Sequence, residues 1–69
     1  MLFNVYEERI IRVLGQTDRG LTINEVATEA GISWITAREH LDILEGKGIV
    51  QRSKGLRVVW RLNFPGQVY

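Results

Sequence analysis

The stretch "LDILEGKGIVQR", Leu41 to Arg52, changes its apolar spacing partway along. Before the change, Ala37, Leu41 and Leu44 stand at i, i+4 and i+7, one stripe of a helix. Gly46 and Gly48 then stop that helix, and from Ile49 the period becomes two. A chain with this break must pass from helical packing into a hairpin within a few residues. "IVQR" and "LRVVWRLN" read as its two strands, about 49–52 and 56–63, joined by "SKG". In the second strand Leu56, Val58, Trp60 and Leu62 are expected on one face, with Trp60 in the core. Arg57, Val59 and Arg61 take the other face.

Upstream, each helix announces its start. Asn4 followed by Glu7 is a capping pair for a first helix over about 5–14, ended by Gly15. Phe3, Tyr6, Ile10, Val13 and Leu14 fall on one face of it, while Val5 points away. "QTDRG" is a turn, and "LTI" is long enough for a single strand rung. Thr22 with Glu25 is a second capping box, opening a helix over 23–30 that buries Val26, Ala27 and Ala30. Gly31 supplies a left-handed stop, Ile32 plugs the core, and Ser33 caps a third helix over about 33–45. Ala37 is small, and Trp34 or Trp60 is expected to fill the space beside it. The lone proline, Pro65, places the end of regular structure near Asn63. The expected fold is α+β, mainly α: three helices and a C-terminal hairpin in one domain over 1–69, with a tail at 64–69.

The order helix, short rung, helix, turn, helix, hairpin resembles the winged helix-turn-helix DNA-binding domains of prokaryotic transcription regulators. The resemblance runs from Glu8 to Asn63. "EVATEAGIS" carries the turn, with Ala27 at the close approach, Gly31 at the turn and Ser33 at the start of the recognition helix. "TAREHLDILEGKGIV" leads through a glycine into the first wing strand, and "QRSKGLRVVWRL" looks like the wing. Ala37 departs from the valine or isoleucine usual in the family. The resemblance implies that the N-terminal half of the third helix enters a major groove of double-stranded DNA. With Ala37 facing the core, Ile35, Arg38, Glu39 and Asp42 point outward. Arg38 suits a guanine, Glu39 a cytosine amine, and Trp34 and Ile35 thymine methyls. Ser33 and Thr36, at the positive end of the helix, suit phosphate. Arg52, Lys54 and Arg57 surround the wing loop and suit the DNA backbone or minor groove.

The charge distribution points the same way. The net charge of +1 conceals a split. Residues 1–46 hold four bases against eight acids, a charge of −4, and residues 47–69 hold five bases and no acid, a charge of +5. A basic end on so small a domain suits a polyanion. The third helix is the weaker contributor, since Trp34 and Ile35 stand beside Glu39 and Asp42. That surface also suits a protein-interaction module of a transcription or replication assembly, the alternative reading. Single-stranded nucleic acid with Trp34 as a stacking platform is a third.

Other classes find little support. There is no cysteine, and the single histidine, His40, reads as half-buried packing, so no metal or cofactor site is expected. Glu7, Glu8, Glu39 and Asp42 read as helix-surface acids with no catalytic pairing, and there is no glycine-rich phosphate loop, so an enzyme is not expected. No apolar run reaches the roughly 18 residues of a membrane span. The expectation is an intracellular, nucleoid-associated regulator. A homodimer contact through Leu2, Val5 and the Phe64–Tyr69 tail would double its grip on DNA.

Overall fold

A computed structural model describes residues 3–63. The elements are α1 (Val5–Gly15), α2 (Ile23–Ala30), α3 (Trp34–Gly46), β1 (Val50–Ser53) and β2 (Val59–Leu62). All three helices pack on one another, α1 also touches β2, and α3 touches β1. The core has one centre: Ile10 of α1, Val26 of α2, Leu41 and Leu44 of α3 and Val50 of β1 are fully buried.

The expected caps are formed. Glu7 N–H donates to Asn4 Oδ1 at 2.9 Å, and Glu25 N–H donates to Thr22 Oγ1 at 3.2 Å. Both glutamates accept a return bond from the capping residue's backbone, which completes two capping boxes. At Ser33, Oγ accepts from Thr36 N–H at 3.1 Å. Gly31 turns at φ 70°, in the left-handed region a side chain rarely adopts. There Gly31 and Ile32 N–H groups return to α2 carbonyls, so the chain leaves α2 and enters α3 within three residues.

The rung expected at "LTI" is Leu21. Its N–H donates to Trp60 O at 2.9 Å, and Trp60 N–H donates back at 2.7 Å. This clips the helical half to β2, which pairs with β1 in the register Val50↔Leu62 and Arg52↔Trp60. Gly20 lies against the same strand: a Cβ added there would meet Val59 Cγ2 at 2.5 Å. Asn63 closes the base of the hairpin, giving its side-chain N–H to Gly48 O at 2.7 Å and its backbone N–H to Ile49 O at 2.9 Å.

Several expectations are corrected. The second strand was expected over 56–63, but it begins at Val59, and β1 runs one residue past 52 to Ser53. The connection is therefore Lys54 to Val58, longer than "SKG". Leu56 leaves the core face and is wholly exposed, and Val58 is exposed as well. The Leu21 clip and the Val50↔Leu62 pairing fix the register from the base of the wing, so the alternation at its tip has nothing to pack on. On α1 the roles of two neighbours are exchanged. Tyr6 is exposed, whereas Glu7, expected on the surface, is only 4% exposed. Glu7 stands at i, i+3 and i+7 with Ile10 and Leu14, and its carboxylate is met by the Asn4 backbone N–H, His40 and Lys47. Trp34 is exposed and Trp60 is buried, so of the two tryptophans only Trp60 belongs to the core around Ala37. Val5 is exposed; Leu2 and the Phe64–Tyr69 tail lie outside the described residues.

Candidate nucleic-acid interface

Trp34, Arg38 and Asp42 follow at i, i+4 and i+8, so α3 presents them as one row. The row runs along one flank of the Ala37–Leu41–Leu44 stripe, facing the wing. Between them lies a concavity of about 390 Å³. Arg52 of β1, Arg57 and Val58 of the wing loop and Trp60 of β2 form its other wall, with Thr22 and Ile23 at the start of α2 closing one end.

Two arginines in this concavity are positioned on aromatic rings. The Arg38 guanidinium lies 5.7 Å from the Trp34 ring centroid, and that of Arg52 lies 5.4 Å from the Trp60 centroid. A cation held over a ring in this way loses less freedom on meeting an anion. Arg52 also reaches Glu45 Oε1 at 3.5 Å, tying the end of α3 to the wing and spending part of its charge. Among the described residues Arg38, Lys54 and Arg57 have no ion-pair partner. Arg57 is near enough to Glu25 to help lower its pKa; the larger cause is the hydrogen bond from the Thr22 backbone, and Arg19 adds a pair at 3.5 Å.

The sequence-expected residues therefore divide. Trp34, Arg38, Arg52 and Arg57 come together in the concavity. Ser33 and Thr36 occupy the N-terminus of α3, where Ser33 Oγ–H donates to Thr36 Oγ1 at 2.9 Å. Ile35 and Glu39 lie on the most outward face of α3 and do not line the concavity. Lys54 stands exposed at the wing tip. Val58, Ile23 and Thr22 were not anticipated. The signal for the inner wall was present as the i, i+4, i+8 row; the outer wall depends on the wing register, which period-two counting misplaced.

His40 is half-buried, as expected. Its Nδ1 lies 3.2 Å from Glu7 Oε2, a bond in which the ring N–H donates to the carboxylate, and its ring stacks on Tyr6 with centroids 5.5 Å apart. No described helix is long and apolar enough to cross a membrane.

The comparisons agree with this architecture. No curated protein is detectably similar in sequence. The Zalpha domain of PKZ from Carassius auratus, whose crystal structure is a complex with Z-DNA, superposes with a TM-score of 0.73 at 30% identity. The match covers 83% of this chain and 90% of that one. Residues 3–51 match the family described as winged helix-turn-helix DNA-binding. With three helices, a capped turn at Gly31 and an antiparallel hairpin following α3, the chain belongs to the winged helix-turn-helix DNA-binding family.

Proposed function

We propose that this chain is a DNA-binding regulator that places α3 against a double-stranded DNA and grips the adjoining backbone with the wing. The observation that carries the reading is the concavity shared by α3 and the wing, with Arg38, Arg52 and Arg57 around it. Phosphate contacts of this kind supply attraction without sequence information. Arg38 is the side chain of α3 best suited to a base edge, through bidentate bonds to guanine. Three or four cations make a weak grip, so a regulator built this way gains from acting as a homodimer on two half-sites. An intracellular, nucleoid-associated location goes with this role.

A second reading, for a left-handed duplex, is favoured by the likeness to the Zalpha domain solved with Z-DNA. A left-handed duplex offers no wide major groove for a helix to enter. A concave cationic face that embraces a backbone suits it better than a protruding helix does. Glu39, exposed on the outer face of α3, is less of a handicap in that geometry.

Titration with a random-sequence right-handed duplex and with an alternating cytosine–guanine duplex held in the left-handed form tests both readings. Both should bind at low salt, and added salt should weaken the binding. A clear preference for the left-handed form selects the second reading. No binding to either duplex at low salt refutes DNA recognition and turns attention to a protein partner at Trp34 and Ile35.

A further inference from the structure

The proposed contacts leave one feature of the concavity unused. Its cations suit phosphates, yet Ile23, Trp34, Val58 and Trp60 give it apolar walls, and Asp42 adds a carboxylate. Phosphate gains nothing from apolar walls and is repelled by Asp42. A paired, stacked duplex has no flat apolar group to offer, because its bases are covered above and below.

We infer that the concavity receives a single nucleobase lying outside its stack, with Trp34 as the stacking surface and Asp42 as the reader of the base edge. The inference rests on the DNA-binding reading above and specifies its ligand. Trp34 is 44% exposed, so its indole is open to a stacking partner. The Arg38 guanidinium lies 5.7 Å from the ring centroid, so a cation stands beside the stacking surface. Asp42, two turns along the same row, faces the same space. An ionised carboxylate only accepts hydrogen bonds, so it selects a base edge rich in donors. Guanine offers two adjacent donors on its pairing edge, N1–H and the N2 amine, which match both carboxylate oxygens. The pairing edges of adenine, cytosine and thymine each present a single donor group. Arg52 and Arg57 on the opposite wall are placed for the phosphates on either side of the displaced nucleotide.

The unstacked base has two sources, a distorted duplex or a single strand. The test uses five DNA probes: a duplex with one bulged guanine, the same duplex with a bulged thymine, the same duplex fully paired, a thymine tract with one central guanine, and the plain thymine tract. The bulged duplex should bind about tenfold more tightly than the paired one, the size of one base–aromatic stack. Its binding should quench tryptophan fluorescence. If the advantage appears in the single strands instead, the single strand is the source. Trp34→Ala should bring the guanine-to-control ratio close to one, and Trp34→Phe should restore it. Asp42→Asn should remove the preference for a bulged guanine over a bulged thymine. Trp34 and Asp42 are exposed, so circular dichroism should find these variants folded. Equal binding to the guanine and control probes in both formats, with paired duplex still bound, overturns the inference and leaves DNA binding intact. Failure to bind any probe overturns both.

Discussion

Two groups of charge flank the buried stripe of α3, and they are built in opposite ways. On one flank Glu7 is buried and surrounded: Asn4 at its backbone, His40 at 3.2 Å and Lys47 at 3.9 Å. On the other, Arg38 and Arg57 are exposed and have no ion-pair partner among the described residues. The first group is complete and needs nothing from outside; it ties α1 to α3. The second gathers Arg38, Arg52 and Arg57 on facing walls with Asp42 as the one carboxylate of the lining, an excess of positive charge that an anion relieves. Arg52 stands between the two kinds, part bound to Glu45 and part turned to the concavity. Paired charge beside α3 is architecture, and unpaired charge beside it is the candidate interface.

Breaking the complete group should therefore damage stability and spare recognition. Glu7→Ala leaves Lys47, His40 and the Asn4 backbone without their acceptor. It should cost about 2–3 kcal/mol in urea unfolding. The DNA affinity of the folded fraction should stay unchanged. A loss of affinity with no loss of stability would reverse the assignment of the two groups.

Gly20 offers a way to disturb both sides of the comparison at once. It carries the chain against β2 just before the Leu21 clip, and a Cβ there would press on Val59, a β-branched side chain with little room to turn. Gly20→Ala should cost about 1–2 kcal/mol and should also weaken DNA binding, because the wing is displaced from α3. If it lowers the melting temperature alone, the wing does not need its clip to hold the concavity.

The smallest effect concerns the Thr22–Glu25 capping box at the end of the concavity. Hydrogen bonding to the Thr22 backbone, with help from Arg19 and Arg57, lowers the Glu25 pKa below its ordinary 4.5. A lowered folded pKa means that the capping contribution is fully present above pH 4.5 and fades as pH falls through the folded value. Thermal melts of the wild type should lose a small increment of stability over that acid range, and Glu25→Gln should flatten it. An unchanged pH profile in Glu25→Gln would remove Glu25 from the account.

The legible part of the fold lay in local chemistry. Asn4, Thr22, Ser33 and Gly31 act within three or four residues of themselves, so their spacing alone located the helix ends. Leu21 was legible only as part of a rung at "LTI", because its partner Trp60 lies in the distant wing. Glu7 was not, because its burial depends on His40 and Lys47 arriving from α3, more than thirty residues away. The wing was half legible: its base follows from Val50, Trp60 and Leu62, which reach the core or pack against it. Leu56 continues the alternation where nothing is left to pack on, and Val58 reaches only the wall of the concavity, so the pattern there does not mark the core. In the candidate interface, Trp34, Arg38, Arg52 and Arg57 were named from sequence, while the way they meet depends on a register that only the folded hairpin fixes.

The most direct test of the distinction between the two groups is the salt dependence of duplex binding by the wild type and by Arg57→Ala. Among the described residues Arg57 has no ion-pair partner, so its removal should change stability by less than about 0.5 kcal/mol. Its loss should weaken binding and reduce the slope of log K against log salt by about 0.9, the contribution of one neutralised phosphate. An unchanged slope and affinity in a folded Arg57→Ala would contradict the account, because the wing would then not be holding DNA.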